Sequence, residues 1–215
     1  MKLYDEIKWS GFDWYVIGIQ ENSYKLLMKN SLKGANFLNE DNEMKFGESN
    51  IWRDSLIRDK LNNEFINNLV KEDMLEMTTR IRDDEEIIET TDYIRLLTIN
   101  EILDDLPMKI RKCDNWYWSL SPRAYSYNSD FVFIVHTPGY VYNDNALNAG
   151  SVRPVVLIDK SALEKCNQND KLERFSPCLG GIMSFESVEH ILDGYAEEIN
   201  KIIDYIKRNN LWLNL

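Results

Sequence analysis

Short apolar runs that alternate with turn-forming residues between positions 115 and 159 are the feature that most constrains this fold. The run Phe131–Val135 is apolar on both alternating faces, which predicts a central strand covered on both sides. Val155–Ile158 is a second such run, and Tyr140–Tyr142 follows a turn and predicts an edge strand. We therefore expect one central antiparallel sheet that contains both apolar runs.

The N-terminal half predicts a hairpin followed by helix. Phe12–Ile19 and Tyr24–Met28 have the composition of paired strands. Farther along, large apolar residues recur every three or four positions from residue 52 to residue 70, which predicts an amphipathic helix capped by Ser49 or Asn50, or two helices divided at Asn62-Asn63.

The C-terminal segment differs in character from what precedes it. A long amphipathic helix is predicted from Ser184 to Arg208, with acidic residues in its first turns and basic residues in its last. We expect two parts, an α+β domain over residues 1–160 and an appendage over residues 161–215. The helix either docks on that domain or forms a homodimer with a second copy, and the sequence leaves both open.

Composition excludes several functional classes. The 215 residues include only three widely separated cysteines and two histidines, so we expect no metal site and no cofactor. No apolar run approaches the ~20 residues of a membrane helix, and no signal peptide is evident, which predicts a cytoplasmic protein without membrane contact. A net charge of −11 disfavours direct binding of nucleic acid. The acidic surface either serves solubility or imitates nucleic acid towards a basic partner protein.

Four sequence blocks carry a resemblance. They are Trp118–Pro122 (Trp-Ser-Leu-Ser-Pro), Val152–Pro154 (Val-Arg-Pro), Trp52–Arg58 and Asp92–Thr98. Over about three quarters of the chain this pattern resembles an uncharacterised bacterial domain family. That family is related to the C-type-lectin-like fold of formylglycine-generating enzymes and retroelement-diversified receptors. The resemblance implies an α+β, C-type-lectin-like fold with a central antiparallel sheet and flanking helices.

Three functions are compatible with this pattern. The first is a non-enzymatic module that binds a ligand or a protein through the loops after Pro122 and Tyr142, where Tyr and Asn suit recognition. The second is an acidic phage or mobile-element inhibitor of a host nucleic-acid-processing or defence protein. The third is an oxidase of the formylglycine-generating type, although the closely spaced cysteines that bind copper in such enzymes are absent from this sequence.

The candidate residues fall into two sets, and no catalytic residue is predicted. The predicted ligand-binding residues are Tyr125, Tyr127, Asn128, Tyr142, Asn143, Asp144, Asn145 and Asn148. The predicted structural residues are Trp118, Ser121, Pro122 and Arg153.

Overall fold

A computed structural model describes residues 1–83, 86–123 and 130–163. The strands of this part are β1 Glu6–Trp9, β2 Phe12–Ile19, β3 Ser23–Met28, β4 Glu43–Lys45, β5 Met74–Leu75, β6 Met77–Asp83, β7 Glu86–Asp92, β8 Ile94–Arg95, β9 Tyr117–Pro122, β10 Phe131–Val135, β11 Val141–Asn145, β12 Ala149–Ser151 and β13 Val155–Asp159. The predicted C-terminal helix lies outside the described residues, as does nearly all of the predicted appendage.

These strands form two main sheets and a separate hairpin. The first sheet has the order β1-β2-β3-β13-β5, and β8 also pairs with β13. The second has the order β11-β10-β9-β12-β4, and β6 pairs only with β7 in the third. The short connection from β12 to β13 carries the chain from the second sheet to the first.

Helical segments in the described part are short. They are a 3-10 turn Trp52–Asp54, helix α1 Leu56–Asn63, 3-10 turns Phe65–Asn68 and Lys71–Asp73, a π-helical turn Glu101–Asp105 and helix α2 Met108–Arg111, and residues 160–163 are also helical. The predicted apolar stripe is buried at Trp52, Ile57 and Phe65. It does not form one helix: Ser55, rather than Ser49 or Asn50, caps α1 by accepting the Arg58 N–H (3.1 Å). Helix α1 ends at Asn63, which agrees with the division at Asn62-Asn63.

The predicted fold class is wrong. The protein is mostly β, and within the described residues the longest helix is α1, with 8 residues. The two apolar runs are strands, as predicted, but β10 belongs to the second sheet and β13 to the first. The error has a physical origin. Strands of two or three residues, such as β4, β5 and β8, are too short to show an alternating pattern, yet they complete both sheets.

The core lies on both faces of the second sheet. Trp118, Val132 and Ile134 face a large cluster that includes α1 and the first sheet. On the opposite face Tyr117 and Val135 join a smaller cluster covered by the segments around the π-helical turn and α2. Strand β9 is therefore buried at every position, and its two faces are both committed to packing.

A buried ion pair attaches the π-helical turn to the first sheet. The Arg95 guanidinium donates two parallel hydrogen bonds to Glu101 (2.6 and 2.7 Å), and Lys25 Nζ donates a third (2.9 Å). Thr98 adds its backbone N–H (2.9 Å). Burial by itself favours the neutral acid, but these cations and hydrogen bonds outweigh it and hold the pKa of Glu101 far below its usual range.

Glu101→Gln should lower the free energy of unfolding at pH 7 by about 3 kcal/mol, because it leaves Arg95 buried without its counter-charge. Because the pKa of Glu101 is lower in the folded state than in the unfolded state, its ionisation stabilises the fold at pH values above the ordinary carboxyl pKa of about 4.3. This stabilisation is lost progressively as the pH falls from that value towards the folded-state pKa. Urea unfolding between pH 7 and pH 2.5 should therefore give a flatter profile for this variant than for the wild type. Glu64→Gln is the control, because Glu64 is exposed and pairs with Lys60 at the surface. Parallel profiles for Glu101→Gln and the wild type would contradict this assignment.

Candidate functional site

Among the predicted binding residues that the structure describes, Asn148 and Tyr142 are exposed. Tyr142 lies on β11, the terminal strand of the second sheet, and is 63% exposed. Asn143 is half-buried on the same strand. Tyr125, Tyr127 and Asn128 lie outside the described residues, so their part in the site stays a prediction.

The other predicted binding residues hold a turn together. The Asp144 carboxylate accepts the Asn145 N–H (2.8 Å) and Asn148 Nδ2 (2.7 Å). Asn145 Oδ1 accepts the Leu147 N–H (2.9 Å), as an Asx turn requires. The Asn145 carbonyl also accepts the Asn148 N–H (2.9 Å). These side chains therefore shape the β11–β12 connection.

Two exposed residues that the sequence reasoning did not assign to the site lie next to Tyr142. The His136 ring lies against the Tyr142 ring with centroids 5.7 Å apart and the ring planes tilted by 56°. Tyr140, two residues before Tyr142, is 65% exposed. The sequence contains a signal for this pair: Tyr140 and Tyr142 are two residues apart, and alternate residues of an extended chain point to the same side. We call His136, Tyr140 and Tyr142 the aromatic rim.

The aromatic rim has a rigid base. Gly139 adopts a positive φ of 99° in the β10–β11 turn, and a Cβ at this position would lie 2.6 Å from Met108 Sδ. The turn thus packs directly against α2, and the His136 N–H donates to the Tyr140 carbonyl (2.8 Å). Met108 is itself 40% exposed and extends the apolar surface beside the rim.

The residues predicted to be structural all lie in the interior. Trp118 is fully buried, donates through Nε1 to the Met44 carbonyl (3.1 Å), and meets Trp116 edge to face. Ser121 Oγ accepts the Ile99 N–H (3.0 Å), and Pro122 ends β9 in a buried position.

Arg153 occupies the connection between the two main sheets. The residue is fully buried, and its guanidinium donates to four backbone carbonyls, those of Met28, Lys29, Ile110 and Arg111, at 2.8 to 3.3 Å. It also donates to the Tyr117 hydroxyl (3.1 Å) and lies 5.0 Å from the centre of that ring. One side chain thereby joins the end of β3, the end of α2 and β9.

The upstream blocks of the sequence pattern meet in a polar network. Trp52 Nε1 (3.0 Å) and Arg58 Nε (2.6 Å) both donate to the buried Asp92 carboxylate. Asn62 completes the contact between α1 and β8, because its amide accepts the Ile94 N–H (3.0 Å) and donates to the Ile94 carbonyl (2.8 Å). These polar groups form hydrogen bonds with one another and with the backbone, so we assign them to the scaffold and not to a ligand site.

Cys113 is buried, and burial raises the pKa of its thiol, which disfavours the reactive thiolate. Within residues 1–83, 86–123 and 130–163, no group of three or more His, Cys, Asp and Glu side chains is placed to hold a metal ion. No helix in these same ranges combines the length and hydropathy needed to cross a membrane.

An open groove of about 380 Å³ lies beside the β1–β2 turn. Phe12 and Phe65 line it, with their rings edge to face at 5.5 Å. Several of its polar groups are already engaged: Ser10 Oγ accepts the Val70 N–H (2.8 Å), and Lys33 pairs with Asp114 (2.6 Å). Because these groups could not readily orient a ligand, we assign the candidate site to the aromatic rim.

Comparison with known proteins gives no match: no family model, no curated protein and no solved structure is similar to this chain. The resemblance to the bacterial family therefore stays a prediction from the sequence pattern.

Arg153→Ala should lower the free energy of unfolding by at least about 3 kcal/mol, because four carbonyls lose this donor and those of Met28 and Ile110 are buried. Arg153→Lys should recover only part of this loss, since an ammonium group cannot reproduce the planar fork of donors. Denaturant unfolding measures both variants, with the exposed Arg80→Ala as a control expected to match the wild type. Full stability of Arg153→Ala would contradict this role.

Proposed function

We propose that this chain is a non-enzymatic binding module whose partner is a protein, contacted by the aromatic rim and by the loops after Pro122 and Tyr142. The observation that carries the proposal is the exposure of Tyr140 (65%) and Tyr142 (63%), which lie two residues apart, Tyr140 just before the terminal strand β11 and Tyr142 on it. Single exposed apolar side chains are common on protein surfaces, whereas here two tyrosines are exposed two residues apart, and the neighbouring Gly139 packs against the exposed Met108.

Physical reasoning supports this choice of surface. Tyrosine brings a large contact area and a hydroxyl group with only two side-chain torsions to immobilise, so its burial in an interface costs little conformational entropy. Two features hold the surrounding backbone in place before a partner binds. Gly139 packs against α2, and the Asp144–Asn148 turn is closed by its own hydrogen bonds. Preorganisation of this kind strengthens binding because less ordering remains for the complex.

Tyr140→Ala combined with Tyr142→Ala should remove partner binding and leave the melting temperature within a few degrees of the wild type, since neither side chain is buried. The test compares proteins retained by tagged full-length chains from the native host, quantified by mass spectrometry. Ile87→Ala is the matched control, because Ile87 is 66% exposed on another sheet.

A protein retained by the wild type and by Ile87→Ala, but lost with the double tyrosine variant, supports the proposed surface. Equal retention by all three chains would place the binding site elsewhere. Asn145→Ala is unsuitable for this test, because loss of its side chain disturbs the turn that holds Leu147.

A further inference from the structure

Strand β11 pairs with β10 over five consecutive residues without a register shift. Antiparallel strands alternate between pairs that exchange hydrogen bonds and pairs that do not. The His136 N–H donates to the Tyr140 carbonyl at one end, and the Ala146 N–H donates to the Asp130 carbonyl at the other. The alternation between these ends directs the backbone groups of Tyr142 and Asp144 towards β10.

The backbone groups of the intervening residues point to the outer edge of the sheet. These residues are Val141, Asn143 and Asn145. No strand pairs with this edge in the described part of the chain. The Asn145 N–H donates to the Asp144 carboxylate, so the donors left at the edge are the amides of Val141 and Asn143.

Other edges of the two main sheets are protected in recognised ways. Strand β1 carries Lys8, and β4 has three residues and includes Lys45, while β5 has only two residues. Strand β11 is longer than β4 and β5, is regular, and contains neither lysine nor proline in its sequence Val-Tyr-Asn-Asp-Asn. Compared with β1, β4 and β5, it is therefore the edge best suited to accept a further strand.

We propose that the partner contributes an extended, basic segment that adds to the outer edge of β11 as a sixth strand of the second sheet; this inference rests on the proposed function. Outward amides and carbonyls at the spacing of a β-strand are complementary to another extended backbone. A basic segment is favoured by the net charge of −11 over the whole chain and by the tyrosine faces, which attract Lys and Arg. The same charge opposes the approach of a second copy.

The test selects linear 12-residue peptides from a random display library against the full 215-residue chain. Enriched peptides should contain alternating apolar residues and several Lys or Arg, and their affinity should fall as salt increases. Asn143→Pro removes an outward N–H and places a ring on the edge, at a position where proline leaves the pairing with β10 intact. This variant should weaken peptide binding by at least about tenfold.

Asn143→Ala is the matched control, because it removes the same side chain but keeps the backbone N–H. This variant should bind peptides as the wild type does. Strand addition is supported if Asn143→Pro loses peptide binding while Asn143→Ala keeps it, provided that Asn143→Pro has an unchanged melting temperature. If the double tyrosine variant abolishes binding and Asn143→Pro does not, strand addition is excluded and the proposed function survives. Peptides insensitive to both variants, or no enriched peptide, would overturn strand addition.

Self-association is a separate outcome. Sedimentation equilibrium should show that Asn143→Pro and the wild type have the same mass. A wild-type dimer that Asn143→Pro dissociates would mean that a second copy occupies the edge, which overturns the assignment to a basic partner segment.

Discussion

The buried guanidinium of Arg153 is the interaction on which the arrangement of the described fold depends. It lies where the chain passes from the second sheet to the first, and it bonds carbonyls of β3 and α2 together with the hydroxyl of Tyr117. A charged group in the interior is costly unless its donors are satisfied. The surrounding segments therefore have to meet at this point, which couples the positions of both sheets and α2.

The position of the aromatic rim depends on these contacts of Arg153. Carbonyls of Ile110 and Arg111 bind Arg153, which holds the end of α2, and the start of α2 packs against Gly139 in the β10–β11 turn. A chain of contacts thus runs from the buried arginine to the exposed tyrosines. The Val-Arg-Pro block and the Trp52–Asp92 network are therefore scaffold, and the proposed recognition surface contains none of these blocks.

The sequence predicted the long strands well and the global arrangement poorly. Phe131–Val135 and Phe12–Ile19 are strands with the predicted bounds, because continuous apolar runs of this length report burial directly. Nothing local indicates that Arg153 separates two sheets, since its partners lie more than 100 residues away at Met28 and Lys29. For the same reason the single predicted sheet, and with it the lectin-like class, is wrong. At the site, residue type predicted exposure for Tyr142 but could not separate it from Asp144 and Asn145, whose polar groups close a turn.

The openness of the β11 edge is tested most directly by residue-resolved amide hydrogen exchange on the full chain without a partner. Amides of Tyr142 and Asp144 point to β10 and should be protected, whereas those of Val141 and Asn143 point outward and should exchange at least about tenfold faster. This alternating pattern is expected of an edge strand that is free to accept another strand. Equal protection at all four amides would mean that the edge is already covered in the free protein, which contradicts the proposed recognition surface.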